Sequence, residues 1–244
     1  DLDAIAQVLV SVSQLLADVP ELAELDINPL LVNHEGAVAL DARVRVSSKR
    51  PAGAANFAIQ PYPQELVEAW EWQGQAITLR PIRPEDEAQH RRFLEQLDPE
   101  DIRLRVFYSR RSIEHSELAR LTQIDYAREM AFIATRIGAD GTEETLGAVR
   151  AAIDPDNIGA EFGVIVRSDL KGSGLGHKLM GKIIEHLRAR GTQRIFGTVL
   201  RINRGMLELA RTLGFQESTH PSDPGDHETR FVALELQSPA APPP

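Results

Sequence analysis

Val164-Ile165-Val166-Arg167-Ser168-Asp169-Leu170-Lys171-Gly172-Ser173-Gly174-Leu175-Gly176 is the most informative stretch of the chain. It reads as the end of an apolar strand, a polar turn, and a loop with glycine at every second position. Leu175, Leu179, Ile183 and Leu187 then recur at helical spacing, so the loop feeds a helix over Gly174–Arg190. Glycines let the backbone approach a ligand closely, and the free N–H groups opening the helix form an anion site. A phosphate or pyrophosphate is the natural guest, against the plainer reading of an ordinary strand–loop–helix turn. A Walker A loop needs Gly-Lys-Ser/Thr, which Gly176-His177-Lys178-Leu179 does not supply. The dinucleotide fingerprint needs Gly-x-Gly-x-x-Gly and an acid ending the next strand, and Ile195–Leu200 ends in no acid.

Outward from the loop, periodicity predicts strands at Ala76–Ile82, Met130–Ile137, Leu146–Ile153, Phe162–Val166, Ile195–Leu200 and Phe231–Leu236. Helical spacing covers Asp86–Leu97, Glu100–Phe107, Leu118–Leu121 and Asn203–Leu213, the last stopped by Gly214. Strand, helices, three strands, helix, strand, helix, strand is a mixed α/β order. Upstream, Leu2, Ile5, Leu9, Val12, Leu15, Leu16 and Val19 mark one helix, and Leu30–Val32 with Ala37–Leu40 mark a hairpin. Residues 1–46 are thus a helix plus two strands. Residues 47–75 read as a linker, within which Glu65–Trp72 fits a short helix or a strand. Residues 76–237 form the main domain, and 238–244 a disordered Pro/Ala tail. The chain opens at Asp1 inside a helix, as a fragment of something longer would.

Composition removes several function classes. The 244 residues contain no cysteine, which excludes a disulfide scaffold, a Cys-ligated zinc site and a thiol nucleophile. A net charge of −9 argues against general attraction to nucleic acid or anionic membrane. No apolar run reaches membrane-spanning length, and the expected location is cytoplasmic. Histidines are scattered, with His90, His115, His186 and His220 expected at the surface and no metal-site spacing among them.

Lys171-Gly172-Ser173-Gly174-Leu175-Gly176 resembles the Gln/Arg-x-x-Gly-x-Gly/Ala loop of the GNAT acyltransferases, with Lys171 in the Gln/Arg place. Asn203-Arg204-Gly205-Met206 and Leu213-Gly214-Phe215 are similar to a later motif of that family. Arg80–Glu87 and Pro99–Phe107 further resemble the acetyltransferase domain of bacterial protein lysine acetyltransferases of the Pat type, in which that domain is joined to an NDP-forming acyl-CoA synthetase-like region. Glu24–Leu30 and Ala39–Arg43 look like the end of an ATP-grasp domain of such a region. The family's counterparts of Asn28 and Asp41 hold Mg²⁺. With the rest of that nucleotide site missing, no metal is expected here, and the two residues are expected to tie the hairpin. The resemblance implies a GNAT fold: a central, mostly antiparallel sheet, flanked by helices, with strands 4 and 5 splayed around acetyl-CoA.

The chemistry sets the candidate residues. A lysine amine has a pKa near ~10.4, so attack on a thioester needs a base. A carboxylate near the thioester, its pKa lifted by partial burial, suits that task. Glu161 matches the family's general-base glutamate; the alternative is a strand-end charge facing solvent. Main-chain groups of Val164, Ile165 and Val166 are expected to pair with the pantetheine arm. Lys171, Gly172, Ser173, Gly174, Leu175, Gly176 and His177 are expected around the pyrophosphate. Asn203 is either a helix N-cap or a coenzyme hydrogen-bond partner. Where many relatives place a tyrosine acid for the leaving thiolate, this chain has Ala210. The resemblance implies transfer of acetyl from acetyl-CoA to a lysine on another protein, an AMP-forming acyl-CoA synthetase being the expected target. Acetylation of a small amine and non-catalytic sensing of acetyl-CoA are the alternatives.

Overall fold

The computed structural model describes residues 1–19, 21–47, 60–106, 114–223 and 225–236, which fall into two compact units divided between Pro61 and Tyr62. In the first unit, helix α1 (Leu2–Asp18) starts where the Asp1 carboxylate accepts a hydrogen bond from the Ala4 amide at 3.0 Å. Strands β2 (Leu30–Asn33) and β3 (Gly36–Ala39) form the expected hairpin. Around them lie two strands that the sequence reading did not include, β1 (Leu22–Ile27) and β4 (Ala42–Val46), paired antiparallel. Their partner is distant in sequence, and the register sets Glu24 opposite Arg45 in a cross-strand ion pair. The Asn28 amide donates to the Asp41 carbonyl at 3.1 Å, so these two residues tie the hairpin through their main chains.

The second unit is built on an eight-stranded sheet in the order β11-β12-β10-β9-β8-β7-β6-β5. Its first hairpin joins β5 (Glu68–Trp72) to β6 (Gln75–Pro81) through Gln73 and Gly74, both at positive φ, as a two-residue turn requires. The segment left open between helix and strand is therefore strand from Glu68, after a short 3₁₀ turn at Gln64–Leu66. Residues 62–75, read from composition as linker, belong to the folded unit. Tyr62 Oη donates to the Pro81 carbonyl at 3.1 Å, and Trp72 is buried with its indole N–H on the Ser173 carbonyl. Of the remaining linker residues, 48–59 lie outside the described residues, as do the tail at 238–244 and Phe107.

Helices α2 (Glu87–Glu95), α3 (Pro99–Val106) and α4 (His115–Thr122) follow β6. Strands β7 (Glu129–Ile137), β8 (Glu143–Ile153) and β9 (Gly159–Val166) run antiparallel in turn. Helix α5 (Leu175–Ala189) then crosses back, β10 (Arg194–Leu200) pairs parallel to β9, and α6 (Arg204–Thr212) leads to β11 (Gln216–Ser218) and β12 (Thr229–Glu235). Strand β11, only three residues long, is the element of this half that periodicity did not reveal. The core forms where α5 lays Leu175, Leu179, Met180, Ile183 and Leu187 against Phe132, Leu146 and Val149 of the sheet. The fold is mixed α/β, a mostly antiparallel sheet flanked by helices.

Arg80 explains the Arg80–Glu87 motif. Its guanidinium holds Asp86 with two 2.7 Å hydrogen bonds and Glu143 with a third at 2.9 Å. Burial works against the charge, but these carboxylates more than offset it and push the Arg80 pKa up. Asp86 also accepts the Arg83 amide at 2.9 Å, which fixes the entry to α2. No helix among the described residues is long and apolar enough to cross a membrane.

Candidate active site

Strands β9 and β10 pair at Gly159↔Arg194, Ala160↔Ile195 and Glu161↔Phe196, and there the pairing stops. Both strands continue, to Val166 and Leu200, so the sheet opens as a fork. Phe162 supplies the wedge. Its ring lies across Gly197, where an added Cβ would meet ring carbon Cε1 at 2.8 Å, so glycine alone fits opposite it. Phe215 of the Leu213-Gly214-Phe215 motif braces the same ring edge to face, centroids 5.2 Å apart. The other edge of β9 stays paired to β8 as far as Gly147↔Val166. Beyond that last pair, the backbone groups of Val164 and Val166 that point toward β10 are left without a strand partner, while Ile165 is paired to Ala148 of β8.

A cavity of about 760 Å³ fills the fork. Glu161, Val164, Ile165 and Val166 line it from β9, Lys171, Gly172, Gly174, Gly176 and His177 from the loop and the first turn of α5, and Asn203 from the opposite side. Two expected residues do not reach it. Leu175 is fully buried in the core, because it carries the first apolar position of α5. Ser173 turns its hydroxyl onto the Leu170 carbonyl, while its own carbonyl accepts from Trp72. Gly172 and Gly174 sit at φ +72° and +87°, a region that L side chains rarely adopt. Gly174 is the N-cap of α5 and offers no side chain, so the first-turn amides of the helix are free for an anion. Gly176 serves packing: a Cβ there would touch Leu209 of α6 at 3.4 Å.

The site also contains residues that sequence reasoning missed. Asp101 and Leu104 reach the cavity from α3, and Thr198, Met206 and Leu209 from β10 and α6. Asp101 forms an ion pair with Lys171 and accepts a 2.6 Å hydrogen bond from Ser168 Oγ. Asp101 lies within the quoted Pro99–Phe107 motif, but no local signal marks an acid whose partner is 70 residues away.

Glu161 stands at the apex of the fork. It is exposed, and among the described residues its carboxylate has no ion-pair or hydrogen-bond partner. The partial burial expected of it is absent, since it points away from the core face that Ala160 and Phe162 share. The Asn203 side chain accepts the Met206 amide at 3.1 Å, which makes it the N-cap of α6 at the cavity wall. Ala210 is buried inside α6 packing, with no proton donor at that position. His177 is exposed at the cavity rim. Of the histidines expected at the surface, His90 is buried and His186 is half-buried. His90 is 5% exposed with Nδ1 unpartnered, and His186 packs edge-on against Phe132 with Nε2 buried. Desolvation, aided by nearby cations, lowers each to about 4. Among the described residues no group of three or more His, Asp or Glu side chains is arranged to hold a metal ion.

Residues 88–215 match the acetyltransferase (GNAT) family, and residues 1–46 match the ATP-grasp domain. The chain is 30% identical over 150 residues to an acetyltransferase of Pseudomonas aeruginosa, covering 62% of this chain and 80% of that protein. Over 44 residues the chain is 39% identical to the β subunit of an ADP-forming acetate–CoA ligase of Pyrococcus furiosus, 18% of this chain and 19% of that one. The GNAT domain of the S. lividans PAT superposes with a TM-score of 0.63 at 21% identity, covering 72% of this chain and all of that domain.

Proposed function

The chain belongs to the GNAT acetyltransferase family and is an acetyl-CoA-dependent N-acetyltransferase; from that premise we propose that it acetylates the ε-amine of a lysine presented by another protein. The observation that carries this reading is the exposure of Glu161 at the fork apex, where an amine on a protein surface can approach from solvent. The free backbone edge at Val164 and Val166 suits the pantetheine arm, as an added strand pairs with an open edge. The glycine loop and the start of α5 suit the pyrophosphate, with Lys171 and His177 at hand. Asn203, although it caps α6, keeps its amide at the cavity wall and can turn it to the coenzyme.

In this mechanism Glu161 takes the proton of the acceptor ammonium, directly or through one water. The freed amine attacks the thioester carbonyl that the fork holds beside it, and the C–S bond breaks. With Ala210 in place of a side-chain acid, the thiolate collects its proton from water. An AMP-forming acyl-CoA synthetase is the proposed target class, a reading supported by the ATP-grasp match of residues 1–46 and by the 44-residue likeness to an acetate–CoA ligase. Two carboxylates that no cation neutralises among the described residues, Glu161 and Glu208, line the cavity and favour a small cationic amine as the second reading. Incubating the protein with labelled acetyl-CoA and either cell-extract proteins or a panel of amines separates the two. Label on protein lysines, enriched on acyl-CoA synthetases, is expected; label on small amines alone would replace this reading with the second.

A further inference from the structure

Lys171, the cation of the glycine loop, rests on a carboxylate from another part of the fold. Asp101, in the first turn of α3, pairs with it through Oδ1. The other oxygen of Asp101 accepts from Ser168 Oγ at 2.6 Å, and Ser168 Oγ in turn accepts from the Asp98 amide at 2.9 Å. Both oxygens of Asp101 are therefore committed to residues 168–171, and the start of α3 is fastened to the loop. The Asp101 side chain is 6% exposed and that of Lys171 55%, so the acid is fixed while the cation faces the cavity. Helix α3 also touches both β9 and β10, the two arms of the fork.

A pyrophosphate over the amides of Gly172–Gly176 needs the charge that Asp101 already neutralises. One ammonium has three donors and can meet both anions, but a carboxylate and a phosphate on one cation repel each other in a partly buried site. We propose that Asp101 competes with the coenzyme pyrophosphate for Lys171, so that Asp101 sets coenzyme affinity and coenzyme binding loosens α3 from the loop. Asp101 is thus a positioning residue that acts through Lys171. The inference rests on the reading of the loop as the pyrophosphate site. Because such coupling is reciprocal, anything that holds α3 to the loop weakens the coenzyme by the same factor.

The test measures coenzyme A binding to the full chain by calorimetry, together with transfer from S-acetylpantetheine, a thioester that lacks the pyrophosphate. Asp101→Asn should bind coenzyme A about fivefold more tightly, and Lys171→Ala about tenfold more weakly. In the double variant the Asp101→Asn gain should vanish, and KM for S-acetylpantetheine should not change in Asp101→Asn. Asp101→Ser removes the charge and keeps a short polar side chain beside Ser168. It should tighten coenzyme A by a similar factor, which preserves the test if Asp101→Asn folds poorly. A folded Asp101→Asn with equal or weaker affinity would overturn the competition, as would the same gain in the Lys171→Ala background or with S-acetylpantetheine. A wild-type protein that binds S-acetylpantetheine but not coenzyme A would instead overturn the loop's assignment to pyrophosphate, and the proposal with it.

Discussion

Glu161 faces Phe196 across β9 and β10 at the last point where the two strands pair. On its other side Glu161 is opposite Ala152 of β8, so the carboxylate stands at the root of the opening with a small neighbour on one flank and an aromatic on the other. One residue further on, the Phe162 ring occupies the room that Gly197 leaves, and the strands diverge. The position of the proposed base and the opening of the coenzyme cavity thus follow from one local arrangement, Glu161-Phe162 against Phe196-Gly197.

Gly197→Ala tests the wedge. Its methyl group would fall 2.8 Å from the Phe162 ring, which must turn or move the fork. Stability should drop by about 1–3 kcal/mol, the usual cost of overpacking. Acetyl-CoA should bind more weakly as the cavity walls shift. Urea denaturation and calorimetry on the same sample check both, and a variant neutral in both would remove Phe162 as the cause of the opening.

Gly174 tests the loop. With φ at +87°, Gly174→Ala introduces backbone strain of about 1–2 kcal/mol without charge. Gly174→Asp adds a carboxylate where the pyrophosphate is expected to meet the start of α5. Coenzyme affinity should fall at least about tenfold further in the Asp variant than in the Ala variant. Equal affinity in the two would mean that no anion sits there.

His90 predicts an acid-sensitive fold. Burial lowers its pKa to about 4, below the unfolded value near ~6.5. Between those values the unfolded chain binds a proton that the folded chain refuses, so stability is full above about pH 6.5 and falls toward pH 4. The loss approaches about 3 kcal/mol for this residue. His186, lowered to about 4 by the same cause, adds to it. His90→Gln should flatten the stability profile between pH 7 and pH 4.5, whatever its effect at pH 7. An unchanged slope in urea titrations at the two pH values would contradict the assignment.

Arg80 tests the frame that carries α2. Arg80→Met strands Asp86, 3% exposed, without its bidentate partner. A loss of about 3–5 kcal/mol is expected, as for a buried charge left alone. Arg80→Lys should recover only part of it, because an ammonium cannot reproduce the paired geometry. Chemical denaturation of the two variants gives the ranking.

The glycine loop was legible because its signals are local: strand alternation, glycine spacing and helical period all fall within Val164–Leu187. Much of the cavity wall lies on it, and the strands of β7 to β9 were legible from their own apolar runs. What could not be read was set by distant pairing. Strands β1 and β4 exist because of each other, and the Asp101–Lys171 pair spans 70 residues of chain. Composition misled at Pro61-Tyr62-Pro63, where prolines suggested a linker although Tyr62 packs against Tyr126 and Trp72 is core. His90 and His186 were misread because a lone histidine on a helix gives no hint of which way its face turns. Leu175 was misread for the opposite reason: its neighbours serve the loop, while its own side chain opens the apolar stripe of α5.

The most direct test of the account is the pH dependence of acetyl transfer to an acceptor protein by Glu161→Gln. The variant keeps the size and hydrogen-bonding reach of the side chain but cannot take a proton. Coenzyme affinity should stay near wild type, since the loop and the free edge of β9 carry that binding. The transfer rate near pH 7 should fall by on the order of a hundredfold. The deficit should shrink as pH rises toward the lysine pKa of ~10.4, where more of the acceptor is already neutral. Turnover close to wild type at pH 7 would contradict the account, as would a deficit that pH does not relieve and that comes with weaker coenzyme binding and a lower Tm.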